Sequence, residues 1–502
     1  MNQPAEKMGL FAQLKSYNKT FWYANLLEMI ERWAYYGVRL VLALYIVGAT
    51  AQGGLEFNHI QKGNIYLWWA IIASFLPMFT GGFADRYGYK KTIAIAVAMK
   101  IGGYGLMATQ KEYWAFFAGC MLLAAGTGLF KPGVQGLLAH NVTSKTASVG
   151  WGIFYELVNF GAFLGGLMAA PLRETYGWGA VFYFNTALVA LMFLPLFMFK
   201  EPDVPRPENK DGLAGTLKEM GTILVTSLRD ITAPRLALFI LISSGFWFAF
   251  HQLFDLLPNF LDDWTLAATL PEIFKLENGS VAPEKVLNLN SAFIMIAMVP
   301  IAFLASKLRA LTAINFGIFI SVVGILLAGL TQNGWFAVAG ILVFTLGEML
   351  SSPRTNDYLA SIAPADKKGL YLGYANVPSG IGWAIGSIFA GNVYEHHGDK
   401  VNFARHWLET QGGMSAEAVK AIPKDKVMET LAAKMNTTIP EATTVLWNMH
   451  SPQNIWLIFA AVGLVSLVGM MIYNYVITKQ DAQLELAGVV PGAEPAKDNA
   501  PV

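Results

Sequence analysis

Long apolar runs with brief polar punctuation dominate the chain, at 22–48, 64–82, 92–109, 113–139, 149–171, 179–199, 236–260, 288–305, 311–331, 334–361, 368–393 and 454–477. Several reach the roughly 20 residues that a helix needs to cross hydrocarbon, and only helices satisfy their own backbone groups over so many consecutive segments. The pattern predicts an all-α membrane protein of about twelve transmembrane helices, not a barrel. Six runs lie on each side of a polar stretch at 200–235 that contains Glu201, Pro202, Pro205 and Pro207. The expected organisation is an N-terminal six-helix bundle over 1–199, a cytoplasmic linker over 200–235 and a C-terminal six-helix bundle over 236–480. A second polar stretch, 394–453, forms an extracytoplasmic insertion in the last of these. Residues 481–502, rich in Ala, Pro, Gly and Asp, are expected to form a disordered tail.

Finer signals sit in the polar stretches. Leu213, Leu217, Met220, Leu224 and Leu228 have weak amphipathic spacing, which predicts a helix over Gly212–Asp230 lying on the membrane surface. Thr438-Ile439-Pro440-Glu441 reads as a capping box with proline in the first turn, so the insertion is expected to be ordered. Lys7, Lys15 and Lys19 precede the first run, Arg86, Lys90 and Lys91 follow the second, Lys307 and Arg309 follow the eighth, and Lys367 and Lys368 precede the eleventh. Positive residues in short loops face the cytoplasm, which puts both termini there and makes the protein multi-pass in the cell inner (plasma) membrane. Nothing before Phe21 resembles a cleaved signal peptide, because that segment is polar and the first apolar run is a full span.

Composition agrees with bilayer as the solvent: 55% of the 502 residues are hydrophobic and 14% charged, against roughly a quarter charged in a soluble domain, and mean hydropathy is +0.44. A net charge of +1 says nothing about partners. Cys120 is the one cysteine, so neither a disulfide framework nor a cysteine metal site is expected.

The strongest chemical signal lies in the first run, where Glu28, Glu31, Arg32, Tyr35, Tyr36 and Arg39 interrupt apolar sequence. At 100° per residue these positions span an arc of roughly 140°, one face of a helix. Burying four ionisable groups costs several kcal/mol each unless they pair or meet water, so this face is expected to line a cavity in the bundle. A structural ion-pair cluster that locks helices together is the alternative.

Glu-x-x-Glu-Arg-aromatic-x-Tyr-Tyr-Gly, here Glu28 to Gly37, resembles the first-span signature of the proton-dependent oligopeptide transporters, a branch of the major facilitator superfamily; Trp33 stands where that family usually has Phe. The resemblance implies the major facilitator fold, proton symport and di- or tripeptide substrates. It also implies proton coupling at Glu28, Glu31 and Arg32, and a cavity lined by Arg32, Tyr35, Tyr36 and Arg39. Residues 81–91 (Gly81, Gly82, Phe83, Ala84, Asp85, Arg86, Tyr87, Gly88, Tyr89, Lys90, Lys91) are similar to the superfamily's loop motif between spans two and three. Its glycines permit a tight turn and close helix approach, while Asp85 and the basic cluster can hold neighbouring helix ends, a latching or gating role for Gly82, Asp85, Arg86, Gly88, Lys90 and Lys91.

Further spans extend the likeness. Gly126 to Pro132 matches the family's Gly-x-x-Lys-Pro pattern and offers Lys131 to the cavity, with an interfacial, snorkelling lysine as the alternative. Phe154 to Gly161 resembles the fifth-span element, with Tyr155 and Asn159 four apart on one face; Glu156 departs from it by adding a carboxylate. Pairing of Glu156 with Lys131 or a first-span arginine is favoured over direct ligand contact. In the seventh run Trp247 matches, but His251 occupies the place of the usual acidic residue and Asp255 follows one turn later. Asn290 or Ser291 with Pro300 resembles the eighth-span pattern loosely. Glu348, in Gly347 to Pro353, matches the tenth-span element and is carried over as the site for a substrate amine.

These residues lead to an expected carrier, not an enzyme: a proton-coupled symporter that imports di- and tripeptides by alternating access. Arg32, Arg39 and Lys131 would hold the peptide carboxylate and Glu348 its amine. Protons are the expected coupling ion, with no cofactor and no metal; Glu395, His396 and His397 lack further spaced ligands. Expected partners are small peptides and the lipid bilayer, with no nucleic acid, and the functional unit is a monomer. The rival readings are a superfamily carrier for amino acids, peptide-like metabolites or drugs, and, in another class, a membrane enzyme or ligand sensor using the insertion.

Overall fold

The computed structural model describes residues 9–143, 145–202, 229–364 and 368–486, with scattered positions between 215 and 226. Most of the expected linker and of the surface helix expected at Gly212–Asp230, together with Lys7, Lys367 and the chain beyond 486, lies outside these residues. The described chain is almost wholly helical. Twelve long helices follow one another: α1 Lys19–Val47, α2 His59–Tyr87, α3 Tyr89–Thr109, α4 Tyr113–Ala139, α5 Ala147–Tyr176, α6 Trp178–Met198, α7 Pro234–Phe250, α8 Pro283–Ser306, α9 Ala310–Gly329, α10 Gly334–Ile362, α11 Asn376–His397 and α12 Asn454–Leu486. Ten are long and apolar enough to cross a membrane. The other two are α1, which carries Glu28, Glu31, Arg32 and Arg39, and α11, where Ser379, Ser387, Asn392 and several glycines replace large apolar groups. The expectation of an all-α membrane protein holds.

Local chemistry sets most helix ends. Asn18 caps α1 through Phe21 N–H (2.9 Å), and Asn58 with Gln61 forms a capping box that starts α2 five residues before the apolar run. Gly88, at φ 97°, makes the sharp turn between α2 and α3 that a side chain would strain. The eleventh run breaks into Lys368–Gly373 and α11, because Pro378 in the first turn of α11 has no N–H to give Tyr374 O. α12 runs past the expected start of the tail at 481, where Arg235 grips Asp481 with two hydrogen bonds of 3.0 and 3.1 Å.

Buried apolar side chains fall into two clusters. One gathers Phe21, Trp69, Phe116, Phe130 and Phe182 from α1–α6, and the other Phe239, Phe260, Phe344, Trp456 and Phe459 from the second half of the chain. Cys120 is buried in the first. The halves meet along α2–α11 and α5–α8. A Cβ on Gly391 would lie 2.5 Å from His59 O, so α2 and α11 approach closely only because glycine stands there.

The insertion is ordered, as the capping box over Thr438 and Glu441 predicts. Its helices Lys400–Thr410, Val427–Met435 and Ile439–His450 bury Leu408, Leu431 and Leu446, and Trp264 packs against Phe403 and Trp447.

Candidate functional site: a charged interior between the two halves

α1 places its polar face inward, with Glu28, Glu31, Arg32 and Arg39 all buried. Arg32 Nε meets Glu28 Oε1 at 3.3 Å, and the guanidinium also pairs with Glu31 and lies 5.0 Å from the centroid of the Tyr35 ring. The other Glu31 oxygen is taken by Lys100 of α3, whose ammonium also donates to Thr127 Oγ1 at 2.6 Å. Lys131 acts electrostatically on Glu28 and Glu31 with no direct ion pair among the described residues. Lys131 therefore belongs to the interior cluster, not to a snorkelling position. Lys100 was not singled out from the sequence, although a lone lysine in the apolar run 92–109 is the same kind of signal as Lys131.

The second centre forms where α7 breaks. Pro258 has no N–H to give Phe254 O four residues back, and the seventh run, expected to be continuous over 236–260, divides into α7, Gln252–Asp255 and Leu257–Trp264. The exposed carbonyls are then used across the halves: Arg39 Nη1 donates to Phe254 O (3.3 Å), and Lys62 Nζ of α2 donates to Asp255 O (2.9 Å) and Asn259 Oδ1 (2.5 Å). Arg39 also forms a buried ion pair with Asp255, whose other oxygen accepts from Trp383 Nε1 and Ser387 Oγ, both at 2.8 Å. Asp255, one turn after His251, is thus the seventh-run carboxylate that pairs with a first-span arginine. His251 hydrogen-bonds Ser379 Oγ at 3.0 Å, stacks on Trp383 at 4.8 Å and forms no ion pair among the described residues; the Trp247 ring centroid lies 5.7 Å from that of His251. Lys62, Asn259 and Trp383 escaped sequence reading because Lys62 preceded the expected start of its span and the others carry no charge.

On the opposing half Glu348 accepts a hydrogen bond from Asn290 Nδ2 (2.8 Å), which also reaches Thr345 Oγ1 (3.0 Å). Tyr36 lies within electrostatic reach of both Arg32 and Glu348. The likeness of Asn290 to the eighth-span pattern thus corresponds to a contact with the tenth span.

On α5, Gly161 and Gly165 pack on the α1 backbone, where an added Cβ would lie 2.4 Å from Met29 O and 2.5 Å from Trp33 O. Tyr155 and Asn159 fall within about 20° of Gly166, which abuts Asn288 of α8, and so face the second half. Glu156 lies about 180° from Gly165. It is exposed and forms no ion pair among the described residues, so the favoured pairing with Lys131 or a first-span arginine is not made. Those arginines are occupied by Glu28, Glu31 and Asp255.

In the loop motif, Glu201 accepts from the N–H groups of Tyr89 (2.5 Å) and Lys90 (3.0 Å), placing a carboxylate at the N-terminus of α3. Lys90 reaches Phe197 O at 3.3 Å, Arg86 is half-buried and Lys91 is exposed. Gly82 and Asp85 lie within α2, and the side chain of Asp85 is outside the described residues.

Polar contacts between the halves gather at the end carrying the insertion. Glu395 accepts from His59 N–H (2.7 Å), Asp399 meets His59 Nε2 (3.1 Å), Lys424 Nζ donates to Val47 O (2.8 Å) and Arg173 pairs with Glu284 (3.0 Å). Among the described residues no group of three or more His, Cys, Asp or Glu side chains is arranged to hold a metal.

Twelve helices in two packed groups, with acids and bases interleaved in the interior between them, define a multi-pass membrane carrier. The model of the Major Facilitator Superfamily matches residues 26–387, and the chain belongs to that superfamily. Among its relatives, the multidrug resistance protein MdtH of Klebsiella pneumoniae subsp. pneumoniae is 24% identical over 327 residues, 64% of this chain and 74% of the relative. Among solved structures, a mutant of the peptide transporter POT in complex with sulfate has a TM-score of 0.67 at 18% identity, covering 95% of this chain and 97% of that one. The nucleoside transporter NupG has a TM-score of 0.62 at 15% identity, covering 90% and 99%. These likenesses place the fold and leave the cargo to the site.

Proposed function

We propose that the protein is a proton-coupled symporter that imports di- and tripeptides by alternating access, as a monomer in the cell inner membrane with both termini cytoplasmic. The observation that carries this reading is the placement of opposite charges. Arg32 and Lys131 stand in the first half with carboxylates that compete for them, and Glu348 stands in the second half, held by Asn290. A short peptide keeps its two charged ends while its side chains vary, so a cationic cradle facing a carboxylate fits what is constant in it. Bridging the halves makes the ligand favour states in which they close, because its contacts differ between open and occluded arrangements. Protonation of a carboxylate beside Arg32 frees the guanidinium for the peptide carboxylate, so proton and peptide favour the same state. The solved fold relatives described as peptide transporters support the reading.

The test is uptake of labelled dialanine into proteoliposomes under an imposed inward proton gradient. Accumulation that collapses with the gradient, and is competed by tripeptides but not by free amino acids, is the expected result. The multidrug names of relatives such as MdtH favour a second reading, a carrier for drugs or peptide-like metabolites. Absence of dialanine accumulation, with gradient-dependent movement of a lipophilic cationic dye, would decide for it.

A further inference from the structure

We infer that Lys100 is a positioning residue that holds Glu31 in its ionised, doubly paired form and thereby leaves Glu28 as the carboxylate that exchanges the coupling proton. The inference rests on the proton-coupled reading above and assigns its roles within the cluster.

Lys100 stands in the middle of α3 with no exposed side-chain surface. Its place is built on α4: an added Cβ on Gly126 would lie 2.9 Å from Lys100 Cγ, so this glycine makes room for the stem, and Thr127 Oγ1 accepts from the ammonium at 2.6 Å. Thr127 is itself anchored to Leu123 O at 3.1 Å. Lys100 therefore delivers a fixed cation to one oxygen of Glu31 while Arg32 covers the other. The side chain of Glu31 has no exposed surface, and a proton on it would forfeit the attraction of two paired cations. Glu28 is different. One oxygen makes the longer 3.3 Å contact with Arg32, and the other, Oε2, is buried without a hydrogen-bond partner.

The groups facing this pair are Arg32 and Tyr35 from α1, Lys100 and Tyr104 from α3, and Lys131 from α4. With both carboxylates ionised, the three cations Arg32, Lys100 and Lys131 leave one positive charge in excess (3 − 2 = 1). A proton on Glu28 raises the excess to two (3 − 1 = 2) and releases Arg32 from one partner. Because Lys100 still satisfies Glu31, the guanidinium can turn to an incoming carboxylate without leaving a buried anion unpaired. Without Lys100, Glu31 would keep Arg32 for itself.

Dialanine transport is measured in proteoliposomes in two modes, accumulation driven by an imposed proton gradient and exchange without one. Glu28→Gln is expected to lose accumulation about tenfold or more while exchange stays within about twofold of wild type. Lys100→Met is expected to impair accumulation, and adding Glu31→Gln to it to restore accumulation, since the neutral pair removes a buried charge together with its partner. A merely structural lysine would leave exchange and accumulation equally impaired, with no rescue. The inference is overturned by wild-type accumulation in Glu28→Gln, or by a Lys100→Met/Glu31→Gln variant that exchanges but no longer accumulates. Glu28→Gln decides alone if the paired variant does not fold. Failure of the wild type to accumulate dialanine is a separate outcome and overturns the peptide-symport reading, and this assignment with it.

Discussion

Arg32 bridges Glu28 and Glu31 and spreads its guanidinium beside Tyr35, a set of contacts that needs a planar fork more than a point charge. Arg32→Lys should therefore lower concentrative uptake of dialanine about tenfold or more, with the purified variant still monodisperse, because one ammonium cannot serve a glutamate and a peptide carboxylate in succession with the same geometry. Wild-type accumulation in that variant would remove Arg32 from the mechanism. The acids and bases of α1 were legible in the sequence because charge in an apolar span has few harmless explanations. Lys100 carried the same signal, but no motif drew attention to it, and its partner is 69 residues away. Glu156 shows the opposite limit. Spacing identified its neighbours on α5, whereas the face that packs was chosen by the close approach of Gly161 and Gly165 to α1, which local periodicity does not encode.

At the level of the helix, the break after α7 converts a sequence feature into a cross-link. Pro258 frees Phe254 O, and the shortened turn turns Asp255 toward Arg39, Trp383 and Ser387. A proline near the end of an apolar run was visible in the sequence, but the donor that serves the freed Phe254 O, Arg39, lies on another helix and was not. The ion pair is buried on both sides, so removing one partner strands the other. Asp255→Asn and Arg39→Gln should each lower stability by about 3–5 kcal/mol, and the double variant by clearly less than their sum. Thermal unfolding of the three variants beside the wild type gives the cycle. Additive losses would mean that the two groups are solvated separately and that the break holds the halves together by its backbone contacts alone.

Across the whole molecule, the insertion and the end of α11 close one face of the carrier by answering helix dipoles. The Glu395 carboxylate sits on the N-terminus of α2, and the Lys424 ammonium on Val47 O, the last carbonyl of α1. Between them lies a cluster whose titration should be readable in stability. Asp263 accepts a hydrogen bond from Tyr394 (2.7 Å) and faces Lys400 at 3.9 Å, with Asp262 and Asp399 nearby. Burial, helped by those two carboxylates, outweighs Lys400 and pushes Asp263 up to about 7 from 3.8. A carboxyl raised in the folded state holds its proton there longer than in the unfolded chain. Its contribution is fully present below about pH 4 and is lost as pH rises through about 7. Asp399 works in the opposite sense: burial raises it, but its hydrogen bond and charge interaction with His59, the charge of Lys424 and the Asn402 N–H together hold it below the usual carboxylate range. Its contribution is lost only on acidification below about pH 4, outside the window that Asp263 controls. Between about pH 5 and 8 the thermal midpoint of the wild type should fall by a few degrees relative to Asp263→Asn, which keeps an acceptor for Tyr394 but cannot ionise. The gap between the two curves should open with rising pH and level off above about 7. Parallel curves would show that Asp263 is already ionised at pH 5 and that closure of this face is indifferent to its charge.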